Sequence, residues 1–134
     1  MHHSCEDIAI AMGQCMKDAL GDKKGIERYG FYTVPMDEAL CRAVLDFSGR
    51  FALEYHVPLE QNHIGNLDTE MIEHFFYSFA ENARMNLHLD LLRGKNTHHC
   101  IEGVFKAFAR ATSMAISPSA RLQGIPSSKG TLNK

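Results

Sequence analysis

The chain has 134 residues, 45% hydrophobic and 22% charged, a length and balance that suit one globular domain with a core of its own. A formal net charge of −2 gives no electrostatic basis for nucleic-acid binding, and no apolar run approaches the length needed to span a membrane. No charged stretch followed by an apolar one suggests a signal peptide. The four cysteines, Cys5, Cys15, Cys41 and Cys100, form no CxxC pair, which excludes a zinc ribbon or a thioredoxin-type motif. Cys41 lies in an apolar stretch and reads as a small buried hydrophobe. This cysteine usage points to a reduced, intracellular protein, expected in the cytoplasm.

The first element opens on His2-His3-Ser4-Cys5-Glu6. From about His3 to Leu20, the apolar positions Ile8, Met12, Cys15, Met16 and Leu20 follow helical spacing. Gly21-Asp22-Lys23-Lys24-Gly25 ends that helix as a glycine-rich basic turn. Aromatic and β-branched residues then predict three short strands, Arg28 to Val34, Leu40 to Phe47 and Phe51 to Val57. Ser48-Gly49-Arg50 stands between the last two as a hairpin turn. Leu59 to Asp68 is polar and irregular. A second helix is predicted from about Thr69 to Asn82, with Met71, Ile72, Phe75, Phe76 and Phe79 apolar and Asp68 or Thr69 as the cap. Leu87, Leu89 and Leu91 alternate with Asn86, His88 and Asp90, the pattern of a half-buried strand. Arg93-Gly94-Lys95-Asn96 turns into a third helix, Thr97 to about Ile116. Ser117 to Lys134 is rich in Ser, Pro and Gly and reads as a loop and tail.

One pattern occurs twice in this layout. His98-His99-Cys100-Ile101-Glu102 heads the third helix as His2-His3-Ser4-Cys5-Glu6 heads the first. On a helix the first His and the Glu, four residues apart, share a face. Imidazole and carboxylate one turn apart can grip one metal ion. The second His points about 100° away around the helix, toward something else. Two copies suggest two metals, with each helix contributing to both. Beside Met1, His2-His3 alone would read as a tag remnant, but a tag would not be echoed, glutamate included, at the head of a second helix.

Across nearly the whole chain the sequence resembles the imidazoleglycerol-phosphate dehydratase family of histidine biosynthesis. The matching motifs are HHSCED (2–7), GDKKGIERYG (21–30), PMDEAL (35–40), LDFSGR (45–50), TEMIEHFF (69–76), NLHL (86–89), HHCIEGVFKAFAR (98–110) and IPSSKG (125–130). Ser4-Cys5 replaces a usual Thr-Val, and Phe51 stands where the family often has Pro. The resemblance implies an α+β fold made of a duplicated helix-and-sheet unit (ribosomal protein S5 domain 2-like), the first unit incomplete. The partial first repeat is expected over about residues 1–60 and the second over about 61–134. Family members also carry an N-terminal segment with a catalytic glutamate and a further metal-binding His, to which nothing in this chain corresponds.

The resemblance implies the metal ligands His2, His3, Glu6, His74, His98, His99 and Glu102. His74 alone would read as a polar-face helix histidine. Pseudo-symmetry groups His2, Glu6, His74 and His99 around one ion, and His98, Glu102 and His3 around the other. Mixed imidazole and carboxylate ligation suits Mn²⁺, two per active site, with zinc as the physical competitor. Glu6 and Glu102 are the candidate catalytic carboxylates within this chain. Arg28, Arg50, Lys106, Ser127 and Lys129 form the implied phosphate pocket, although any one alone would read as ordinary surface charge. Asp37 and Glu38 either support a neighbouring site or brace Arg28. His56, His63 and His88 have no assignable role. The implied activity is dehydration of a phosphorylated imidazole substrate in a homo-oligomer, of twenty-four subunits in the intact family. The rival expectation is an inactive metal-binding or assembly fragment, with one tighter and one weaker metal.

Overall fold

The computed structural model describes residues 2–133. Three long helices and a four-stranded sheet make up an α+β fold. The helices are α1 (His2–Leu20), α2 (Glu70–Ala83) and α3 (Thr97–Ile116). The sheet is built from β1 (Tyr29–Met36), β2 (Ala39–Asp46), β3 (Ala52–His56) and, after a two-residue pair β4 (His63–Ile64) and β5 (Leu67–Asp68), β6 (Asn86–Arg93). Its order is β1-β2-β6-β3.

β1 and β2 form the hairpin, with Met36 opposite Ala39 and Asp37-Glu38 as its two-residue turn. The turn expected at Ser48-Gly49-Arg50 is not a hairpin. β6 inserts between β2 and β3, antiparallel to the first and parallel to the second. The chain reaches that parallel position by crossing over through α2, as parallel neighbours require. One sheet therefore holds strands from both sides of residue 60.

Alternation sorts the sheet faces. Cys41, Ala43, Leu45, Leu87 and Leu89 are buried, while Arg42, Val44, His88, Glu54 and His56 lie on the open side. α2 and α3 cover the buried side. Phe76 and Phe79 from α2 meet Phe108 from α3 edge-on, and Phe76 also stacks near Phe105. α1 packs chiefly on α2 rather than on the sheet. The approach is close at Gly13, where a Cβ would lie 2.6 Å from the carbonyl oxygen of Phe79. The tail from Ser117 is docked. Ile26 bridges Pro118, Gly25 bonds with both Ser119 and Gly124, and Leu132 is 2% exposed.

Candidate metal and phosphate site

Two caps set the orientation of the histidines. At α3 the Oδ1 of Asn96 accepts from the backbone N–H of His99 at 3.0 Å, satisfying one of the free donors of the first turn. That fixes His98-His99 in the opening turn. At α2 the carboxylate of Asp68, not the hydroxyl of Thr69, accepts from the N–H of Glu70, and His74 follows one turn on.

The donors come together in pairs. On α3, His98 Nε2–H donates to Glu102 Oε2 at 3.1 Å across one helical turn, as the motif spacing predicts. Glu102 Oε1 also accepts from Lys106 Nζ at 3.0 Å. Its pKa is lowered, first by that lysine and then by His98. Between α1 and α2 the rings of His2 and His74 meet edge-on, centroids 5.7 Å apart, with His3 5.8 Å from His2. Glu70, Glu73, His74 and Tyr77 line a cavity of about 370 Å³ on this face of α2. Glu6 is half-buried in the first turns of α1.

His99 is held from the β1–β2 turn. Its Nδ1–H donates to Glu38 Oε1 at 2.6 Å, and Asp37 Oδ2 lies 3.5 Å from its Nε2. The other oxygen of Glu38 accepts from the backbone N–H groups of Lys95 and Asn96 at 3.0 and 2.8 Å. These bonds, His99 first, draw the Glu38 pKa down to about 2 and raise that of His99. Sequence reasoning left Glu38 between two roles. The structure places Glu38 against His99 and gives the bracing of Arg28 to Asp46. Nothing in the sequence signals the Glu38–His99 contact beyond the placement of PMDEAL in a turn.

Among the described residues no three His, Cys, Asp or Glu side chains gather around one point. The expected quartet of His2, Glu6, His74 and His99 does not close within one chain, and neither does its counterpart. The donor types on these helices, imidazole and carboxylate, nonetheless suit a divalent ion of intermediate hardness.

The expected phosphate residues fall in two places. Arg28 grips Asp46 through Nε and Nη2 at 2.6 and 3.1 Å, and its Nη1 donates to the carbonyl of Pro126 at 2.8 Å. The Asp46 bonds raise its pKa. That last contact brings Ser127 beside Arg28, with Lys129 N–H bonded to Ser127 Oγ in the same turn. Arg50 is exposed, its backbone bonded to Ser48 and Asn86. Lys106 stands with the pair His98 and Glu102 instead. His56 pairs with Glu54. The four cysteines are free thiols, and burial pushes Cys41 up to about 11, an unreactive state.

The sequence profile of imidazoleglycerol-phosphate dehydratase matches residues 1–112. The chain belongs to that family. It is 61% identical over 131 residues to the imidazoleglycerol-phosphate dehydratase of Syntrophomonas wolfei, covering 98% of this chain and 66% of the relative. The Teredinibacter turnerae imidazoleglycerol-phosphate dehydratase is 55% identical over 132 residues, covering 98% and 67%. The chain thus spans about two thirds of the length of these relatives. Its fold superposes on the crystal structure of the Staphylococcus aureus imidazoleglycerol-phosphate dehydratase with a TM-score of 0.86 at 47% identity, covering 88% of this chain and 69% of that one. For the Pyrococcus furiosus family member the TM-score is 0.84 at 28% identity, covering 98% and 71%. Both HHxxE copies lie inside the matched region, as does every candidate ligand.

Proposed function

We propose that this chain serves the manganese-dependent dehydration of imidazole glycerol phosphate to imidazole acetol phosphate in histidine biosynthesis, as a hydro-lyase of the cytoplasm. The observation that carries this reading is the His98–Glu102 pair, a carboxylate and an imidazole 3.1 Å apart on one helix face, in a sequence motif that recurs at the head of α1. Family membership gives the pair its context.

In this reading His2, His3, Glu6, His74, His98, His99 and Glu102 hold two Mn²⁺ ions. Bound there, the ions would supply Lewis-acid binding of the imidazole ring and favour its anionic form. The chain's own groups would orient the ligands and hold the substrate's phosphate. Glu38 holds Nδ1 of His99, the arrangement by which carboxylates orient metal-binding histidines, so Nε2, with Asp37 Oδ2 3.5 Å away, is the ring nitrogen that would face a ligand. Lys106 keeps Glu102 ionised. Arg28 and the Ser127–Lys129 turn offer charge-assisted donors to a phosphate, with Arg50 and Lys106 as further cations. Because the ligands form half-sites, a second copy of the chain would complete each centre, and the functional form is a homo-oligomer.

A second reading rests on the same half-sites: a metal-binding or assembly fragment without turnover. One experiment separates the two. The purified chain is supplied with Mn²⁺ and imidazole glycerol phosphate, and the ketone product is followed. Turnover that is lost in Glu102→Gln, with at least about a hundredfold fall for a ligand acting in the transition state, supports the enzyme. Tight Mn²⁺ binding with no product supports the fragment.

A further inference from the structure

The turn that ends α1 reads in sequence as a solvated basic loop, yet one of its lysines is not in solvent. Lys23 is 1% exposed, and its backbone takes a left-handed φ of 65°, uncommon for a residue with a long side chain. An ammonium group is not buried without partners, so the groups it meets identify its task. Its Nζ donates to the carbonyl of Leu132 at 3.0 Å and to Oδ1 of Asn133 at 3.4 Å. Asn133 Nδ2 donates back to the carbonyl of Gly21 at 3.2 Å. Leu132 is itself buried, with its carbonyl set so close to Gly49 that any Cβ there would overlap it.

The tail is therefore tied at both ends to one turn. Near its start, Ser119 N–H donates to Gly25 and Gly25 N–H donates to Gly124. At its far end stands Lys23. Between the ties lie Pro126, bonded to Arg28, and the turn in which Gly130 N–H donates to the carbonyl of Ser127 at 3.0 Å. The Arg28–Pro126 bond and the Gly25 ties hold the tail before Ser127, and beyond it the far tie at Lys23 keeps Ser127 and Lys129 in register with Arg28.

We propose that Lys23 is a positioning residue for phosphate recognition: its buried ammonium clamps Leu132 and Asn133 and so holds the Ser127–Lys129 turn beside Arg28. The inference rests on the phosphate-pocket reading given above. Desolvation lowers the Lys23 pKa, as its burial requires.

The test uses the full 134-residue chain and its Lys23→Met variant, which keeps an unbranched apolar stem and removes the donor. Amide hydrogen exchange is followed across residues 117–133 and across α2 and α3. Inorganic phosphate and Mn²⁺ are titrated separately. The expected result is exchange in the tail faster by about tenfold or more, unchanged protection in α2 and α3, phosphate affinity lower by about tenfold, and unchanged Mn²⁺ affinity. An equally protected tail overturns the clamp. A freed tail with unchanged phosphate affinity overturns the positioning role. The double variant Ser127→Ala, Lys129→Ala separates that failure from failure of the pocket itself: if it too binds phosphate normally, the pocket reading falls. Should the methionine variant not fold, Leu132→Asp, which expels the tail from its other side, takes its place, and loss of both tail protection and phosphate affinity supports the clamp. Retained phosphate affinity in Leu132→Asp with its tail exposed overturns it.

Discussion

Glu38 shows how much one exposed carboxylate can organise. One oxygen takes the Nδ1–H of His99 and the other takes two backbone N–H groups at the head of α3. A carboxylate with three donors has little reason to accept a proton, which is why its pKa falls to about 2. The same contact raises the pKa of His99. The two shifts act in opposite pH directions. The Glu38 contribution to stability is complete above its ordinary value near 4.5 and is lost as pH falls toward about 2. The His99 contribution is complete below its ordinary value near 6.5 and is lost as pH rises through its raised value. The pair is thus most stabilising in mildly acidic solution. Metal binding opposes this, because a protonated imidazole is no ligand. In metal-free protein, Glu38→Gln should move the His99 midpoint down toward 6.5, read from ring resonances by NMR. A midpoint that stays put would assign the shift to another group.

At the scale of elements, Gly13 controls how α1 meets α2. A methyl group there would press on backbone, the Phe79 carbonyl and the Ala83 nitrogen, as well as on the Cβ of Asn82, and backbone does not rotate aside. Alanine in a helix interior is favoured over glycine by about 1 kcal/mol, while overpacking at a tight contact costs about 1–3 kcal/mol. Gly13→Ala should therefore lose stability by up to about 2 kcal/mol in urea unfolding; a stabilised variant would mean that α1 shifts freely. This contact is also where sequence reading stopped. All three long helices and strand β6 were legible to within a residue or two because their apolar periods are long and clean. Local pattern carries no record of strand order, so a turn-like Ser48-Gly49-Arg50 suggested a hairpin where β6 inserts. The HHxxE pairs were legible because helical spacing dictates them. The Glu38–His99, Arg28–Asp46 and Lys23–Leu132 contacts join residues 61, 18 and 109 positions apart, and no local signal marks them.

At the scale of the whole molecule, the arrangement of donors bears on assembly. In the proposed reading His98 and Glu102 form one half-site, His2 and His74 another, and His99 is held apart by Glu38. None gathers a third protein donor among the described residues, and a divalent ion with several open positions binds weakly to two ligands. A second copy of the chain, presenting the complementary half, would raise the ligand count without any rearrangement inside either copy. A ligand that binds only the assembled form stabilises that form by mass action. Mn²⁺ should therefore shift the chain toward larger species in sedimentation velocity, and a chelator should reverse the shift. Glu102→Gln and His74→Ala, which each damage a different half-site, should both weaken the response while leaving the far-ultraviolet circular dichroism of the helices intact. An identical sedimentation profile with Mn²⁺ and with chelator would show that metal and assembly are not coupled in this chain, and the half-sites would then have to be completed by something other than another copy of itself.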